Sequence, residues 1–560
     1  MGNDWITFWA LFPILAAIIC MYFLPFGMGP FPVPMGGFLT ALIAMMVWRV
    51  PVQQIVAGAF QGLFLYGEII FLIFSAILLI QTMKQSSSLA TIGSDFKRIS
   101  ADRRIQAILI AWLLGSGIEG LLGFSATGAA IALLLVGMNF PPTCAVLMGI
   151  MGPMPASVFG SMGAPLFLGV ERGFQDPSLL AQLTGAGISL DEYLKLIAAR
   201  VGLLQGIAGA FMPTMMCFAL TRFYGKKQSW TEGLDILPFA LFSGIAFAAP
   251  FAFAAAHLGP ELAPLVGCVI GMVVVITAIK SGFLVPPIAW NFRPKKSWPK
   301  DWAESKLESS PVPMPSWKAW MPFIVLLLLL AAVRFPFSPL SAFLKMDGLE
   351  WKNILGTSVS IHSRYFLLPS LCLLASAFIC MMFYRLSHER IGFVFNSWAV
   401  PFVVRTSRYA PFTMMMACIY LNTGVNQAGL PSMAQVLADA IARLPGSNIW
   451  GAFATPFLGA VGAFFSGNHV FSNINLSAFQ FNFGQNIAGA GAFFVALQMS
   501  GASAHNLIAS VHFLEGACEA VGINGWESPT GRKAAVPMLI YLTLVGVVGV
   551  VTISFFFTNN

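Results

Sequence analysis

Charge is what this chain has least of. Only 9% of its 560 residues are Asp, Glu, Lys or Arg, and six are histidine. A soluble surface devotes about a quarter of its residues to charge, so a water-facing globular protein is excluded. Enzyme signatures are missing as well. No His-Glu-x-x-His, P-loop or Gly-x-Ser-x-Gly occurs, so nothing points to a hydrolase or nucleotide enzyme. The eight cysteines (Cys20, Cys144, Cys217, Cys268, Cys372, Cys380, Cys418 and Cys518) include no Cys-x-x-Cys pair. A disulfide framework and a cysteine metal site are therefore not indicated, and the cysteines read as small core residues. No basic patch interleaved with aromatics marks a nucleic-acid surface.

Apolar residues fill the chain instead. They make up 58% of it, with a mean hydropathy of +0.80. They come in repeated runs near twenty residues long, the length that crosses a bilayer as a helix. An all-α polytopic membrane protein with about 12–14 transmembrane helices is expected, its partner the lipid bilayer. The first runs fall at about 6–26, 35–48 and 55–80. The opening run lacks a basic leader and is read as an uncleaved span.

The net charge of +8 belongs to the connections. Lys84, Lys97, Arg98, Arg103 and Arg104 form one basic connection; Arg222, Lys226 and Lys227 form another. A third, the Pro- and Trp-rich stretch 280–318, carries Lys280, Arg293, Lys295, Lys296, Lys300, Lys306 and Lys318. All three are expected in the cytoplasm, with the N-terminus and the 334–364 connection outside. The last stretch also divides the chain: 1–280 as a first transmembrane half, 281–318 as a cytoplasmic linker loop, 319–560 as a second half.

Polarity breaks the apolar pattern at a few places. The strongest is 464–480, FFSGNHVFSNINLSAFQ, where Ser466, Asn468, His469, Ser472, Asn473, Asn475, Ser477 and Gln480 lie between apolar runs. Hydrocarbon offers such groups no partner, so a broken helix facing a solute cavity is expected, an external loop being the alternative. It is followed by 500–522, SGASAHNLIASVHFLEGACEAVG, with Asn506 and Ser510. The first half has a matching pair: 115–128, GSGIEGLLGFSATG, with Ser125 and Thr127, and 149–165, with Pro153 and Pro155. Paired interruptions in two repeats are the mark of a secondary transporter whose site lies where broken helices meet. Glycines that merely allow close helix packing are the plainer reading. Asn422, in a polar step at 420–424, is a further lining candidate.

Glu68, Glu119, Glu515 and Glu519 lie in apolar surroundings, where a carboxylate is protonated, paired or functional. His512, Glu515 and Glu519 are spaced i, i+3, i+7 on one helical face and read as a proton relay, with Glu119 the corresponding carboxylate of the first half. Alternatively, Glu519 ends its helix near water. Glu68 is an isolated signal that a neighbouring helix could satisfy.

Four stretches together resemble the lactate permease family, bacterial symporters of lactate or glycolate with protons. They are ISADRRIQAILIAWLLGSGIEGLLGF from Ile99, LLLVGMNFPP from Leu133, SGNHVFSN from Ser466 and ACEAVGINGWE from Ala517. There are departures. Thr127 stands for a proline of the family's Gly-Phe-Gly-Thr/Ala-Pro-Val, His469 for an Asp or Asn, and Phe471 for a serine. Leu507 replaces a lysine and Val511 a proline. The lost lysine removes one partner for a substrate carboxylate, which protonated His469 or His512 could supply.

The resemblance implies a multi-pass inner-membrane protein, not an enzyme, that moves a small hydroxy-monocarboxylate with protons. Substrate contacts are expected from Ser125, Thr127, Asn422, Ser466, Asn468, His469, Ser472, Asn473, Asn506 and Ser510. Proton coupling is expected from Glu119, His512, Glu515 and Glu519. No cofactor beyond the ion gradient is implied. Na⁺ coupling to another organic anion, or a channel, is the rival reading, and the oligomeric state stays open.

Overall fold

The computed structural model describes residues 4–23, 32–174, 177–304, 314–334, 349–363, 369–406, 410–443, 447–466, 468–487, 489–504 and 511–556. The architecture is all-α and polytopic. Among the described residues one strand pair occurs, the short antiparallel hairpin Leu349–Trp351 with Ile361–Ser363. Among the described residues six helices are long and apolar enough to cross a membrane: Val52–Gln85, Arg103–Leu121, Leu190–Tyr224, Thr231–His257, Ala263–Ser281 and Glu527–Phe556. Pro142–Met151 and Met154–Gly173, bent by 46° at their junction, would make a seventh, and five shorter apolar helices accompany them.

Val52–Gln85 orders the molecule. Its 34 residues extend about 51 Å at 1.5 Å per residue, and it packs along Ala410–Leu421 and Pro369–Phe383. Near its start Gln54 Nε2 donates to Ser358 Oγ (3.1 Å) and Gln61 Nε2 to Ser360 O (3.1 Å), holding the 352–360 loop. At its end Lys84 Nζ donates to Ala520 O (3.1 Å) and Arg390 Nη1 to Gln85 O (3.3 Å). One helix thus separates two faces of the protein.

The basic connections gather on the Lys84 face. Asp102 caps the helix that begins at Arg103, accepting from Arg104 N at 2.8 Å, and its carboxylate also binds the buried Arg104 guanidinium. The same carboxylate accepts from Trp290 N (3.0 Å), and Arg103 N donates to Trp290 O (3.0 Å). Trp290 Nε1 reaches Glu232 Oε1 at 2.9 Å, and Lys533 pairs with Asp301 at 3.1 Å. The 280–304 stretch is therefore a strapped plate over the turns at 99–104 and 226–235. Between the faces lies a continuous apolar core, with Trp112 edge-on to Phe247 at 4.7 Å between centroids. Six of the seven described cysteines are buried.

A single cysteine introduced at exposed Lys227 or Lys296 is expected to resist an impermeant thiol reagent added to intact cells, while one at exposed Lys352 reacts. External labelling at Lys296 would reverse the orientation.

Candidate functional site

The interior is organised by two helix breaks that cross. The helix Arg103–Leu121 stops at Leu122, and Gly123, with φ +64° and ψ −177°, turns the chain into Phe124–Gly137. Only glycine accepts that conformation without strain. The freed Leu122 carbonyl accepts a hydrogen bond from Ser161 Oγ at 2.5 Å. Ser161 belongs to the second break, where Ser161, Met162 and Gly163 all have positive φ between the tight turn Met154–Phe159 and the wide turn Pro165–Val170. A Cβ on Gly123 would lie 2.2 Å from Ser161 Oγ, so the crossing also needs the bare glycine for space. Buried Glu119 lies against the same crossing, since a Cβ on Gly160 would come within 2.9 Å of its carboxylate.

The distant polar segment closes on this break from the other side. After Ser466 the chain re-enters a helix, His469–Gln485, capped by Asn468, whose Oδ1 accepts from Val470 N at 2.7 Å. Asn473 on that helix donates from Nδ2 to Pro165 O (2.9 Å), and its Oδ1 accepts from Gln498 Nε2 (3.0 Å). Ser472 Oγ donates to Gly459 O at 2.9 Å and accepts from Gln498 Nε2 at 3.2 Å. All three side chains are buried, forming a hydrogen-bonded polar clamp in an apolar interior, with Gln498 Oε1 left without a partner among the described residues. Gly169 and Gly173 let the two segments touch: a Cβ on either would lie 2.8 Å from Asn473 Cβ or Ile474 O respectively.

That contact carries Arg172 to the wall of a cavity of about 480 Å³. Gln61 and Leu65 line it from Val52–Gln85, Asn422 from the end of Ala410–Leu421, and Ser432 and Gln435 from the following segment. Ile474, next to the clamp residue Asn473, completes the wall. Asn422 Nδ2 donates to Gln61 Oε1 at 2.9 Å, and Gln61 Nε2 is held by Ser360 O at 3.1 Å. The Arg172 side chain is 10% exposed and its Nη2 stands 3.9 Å from Oε2 of Glu68, which is 1% exposed. At that separation the direct attraction is about 4 kcal/mol for an effective dielectric near 20, against which the desolvation of both ions must be set. A cavity of this size with one guanidinium and several neutral donors suits a small anion.

A family model for L-lactate permease matches residues 7–556 of this chain. The chain belongs to the L-lactate permease family. It is 24% identical to a glycolate permease of Escherichia coli over 543 residues, covering 91% of this chain and 89% of that protein. An L-lactate permease of Salmonella typhimurium is 23% identical over 538 residues, covering 90% of this chain and 88% of that protein. An L-lactate permease of Bacillus subtilis is 24% identical over 539 residues, covering 91% and 89%. The chain is thus a multi-pass transporter of the bacterial inner membrane, not an enzyme.

In this permease the expected site residues fall into separate places. Asn422 lines the cavity. Asn468, His469, Ser472 and Asn473 are buried at the clamp, where Asn473 is committed to Pro165 and Gln498. Thr127 is buried, its hydroxyl without a hydrogen-bond partner among the described residues. Glu519 lies half-buried at the basic face, where its carboxylate acts on Lys84, in keeping with a helix end near water. Asn506 and Ser510, and the side chains of Ser125, Ser466, His512 and Glu515, lie outside the described residues. Arg172 was not anticipated. Its signal was a lone Arg in the apolar run PLFLGVERG, about ten residues past the break.

Replacing Asn473 by Ala strands buried Pro165 O and leaves Gln498 Nε2 with Ser472 Oγ alone, so it is expected to cost roughly 1–3 kcal/mol of stability. Asn475→Ala, which removes a bond to Phe471 O within its own helix, serves as the mild comparison. Thermal unfolding in detergent checks this; equal melting of the two variants would count against the clamp.

Proposed function

We propose that this permease moves small 2-hydroxy-monocarboxylates, of lactate and glycolate size, in symport with protons. The observation that carries the substrate half of the reading is Arg172 on the wall of the 480 Å³ cavity. A guanidinium fork pairs with a carboxylate through two parallel hydrogen bonds, and neutral donors such as Asn422 and Ser432 suit a neighbouring hydroxyl. The names of the relatives, lactate and glycolate permeases, support the same class of anion. The division into halves 1–280 and 319–560, joined by a cytoplasmic linker at 281–318, belongs to this reading. The Asn473–Pro165 bond supports it, because it joins the break of one half to that of the other. Alternating access would then rock the halves about that junction.

Labelled C2 to C4 organic acids in proteoliposomes, with imposed pH or Na⁺ gradients, test the reading as a whole. Acid outside is expected to drive lactate and glycolate uptake in sodium-free medium. Uptake that follows Na⁺ and ignores pH would transfer the coupling to Na⁺. Arg172→Gln is expected to raise KM about 10- to 100-fold, the loss of a charge-assisted contact. Arg172→Lys, which keeps charge without the fork, should fall between. A folded Arg172→Gln protein with unchanged KM would contradict the placement.

A further inference from the structure

The guanidinium that faces the cavity has an ionic partner behind it, and any coupling through that pair rests on Arg172 binding the substrate carboxylate as proposed. Glu68 lies near the middle of the 34-residue helix Val52–Gln85, 1% exposed, 3.9 Å from Arg172. Gln61 and Leu65, which line the cavity, precede it by seven and three residues and share its helical face. Arg172 therefore stands between an open cavity on one side and a buried carboxylate on the other. The 3.9 Å gap is longer than a hydrogen bond between those two atoms.

We infer that Glu68 and the substrate carboxylate use Arg172 in turn, so that one proton accompanies each monoanion. With the cavity empty, Glu68 carboxylate and Arg172 guanidinium balance each other. An entering anion forms its own pair with the guanidinium. Glu68, with the Arg172 pairing weakened in a low-dielectric interior, takes up a proton from the bulk solvent through the cavity: an O–H bond of hydronium breaks to leave water as one forms on the carboxyl. The loaded site is again neutral, holding one anion and one proton. Loss of the anion returns the guanidinium to Glu68, which releases its proton.

The two half-loaded states each carry an uncompensated charge. The anion without the proton leaves a net negative site, and the proton without the anion a net positive one. Both are costly to pass through a membrane interior, which confines movement to the empty and fully loaded states.

The elements packed against those of the pair carry further ionisable groups. Ala410–Leu421 brings Cys418 and Tyr420, Pro369–Phe383 brings Cys372 and Cys380, and His469–Gln485 brings His469. Glu171 adjoins Arg172 in sequence. Lys84, Asp95, Lys97, His388, Glu389 and Arg390 belong to the elements around the Gln85 end of the long helix.

Isothermal titration of purified permease with L-lactate and glycolate, in buffers of different ionisation enthalpy, counts protons taken up per bound anion. About one is expected for the wild type and for Glu192→Gln, a change at an exposed helix cap, and none for Glu68→Gln. Undiminished proton uptake in Glu68→Gln would overturn this inference while leaving the substrate reading intact. If neither anion binds the wild type, the substrate reading fails and this one falls with it. Should Glu68→Gln not fold, Glu68→Asp decides. Its carboxyl is one methylene further from Arg172, so the pH midpoint of binding must move; an unmoved midpoint overturns the exchange.

Discussion

A polypeptide that interrupts its helices inside a membrane must find partners for the backbone groups it frees, and no lipid will supply them. This permease meets that constraint from within. Ser161 covers the Leu122 carbonyl and Asn473 covers Pro165 O, each from a segment distant in sequence. Every other feature of the site depends on these two bonds. Because the breaks must cover one another, they must touch, and because they must touch, glycine stands at Gly123, Gly169 and Gly173. The wide turn Pro165–Val170 then delivers Arg172 to the cavity wall beside Ile474.

The electrostatic arrangement shows the same economy. Charge is scarce, and two buried pairs hold opposite charges together: Arg172 with Glu68, and at the basic face Arg104 with Asp102. A balanced pair beside a cavity differs from a balanced pair inside a core, because a ligand can compete for one partner. Arg104 is locked by two bonds to Asp102 and covered by the 280–304 plate, whereas Arg172 borders open space. The first pair is built to stay. The second is placed where an anion can reach it.

Much of this was legible in the sequence. Hydropathy gave the class, and loop charge grouped connections that the structure indeed gathers on one face. The 464–480 stretch could be read as a break because its polarity had no place in lipid, and Asn468, His469, Ser472, Asn473, Ser477 and Gln480 are all buried. The glycines of 115–128 divided between the two readings. Gly117 and Gly120 allow close packing against Cys268 and Pro264, whereas Gly123 makes the break. What stayed hidden was pairing. Glu68 and Arg172 lie 104 positions apart, and nothing local in either run reports that a glycine contact brings them together. His469 and His512, inside the polar stretches themselves, were the replacement cations read from the local pattern. Polarity of a segment likewise does not say which side a side chain faces. Asn473 looked like a substrate ligand, yet its amide holds the protein together.

The central claim is that the substrate carboxylate lies in the cavity beside Arg172. Ser432 and Gln435 line that cavity without belonging to the clamp, so a cysteine at either position reports on its occupancy. Saturating lactate or glycolate is expected to slow the reaction of Gln435→Cys with an impermeant thiol reagent, and to lose that effect when Arg172→Gln is added. Equal labelling rates with and without substrate, in a variant that still transports, would place the carboxylate elsewhere.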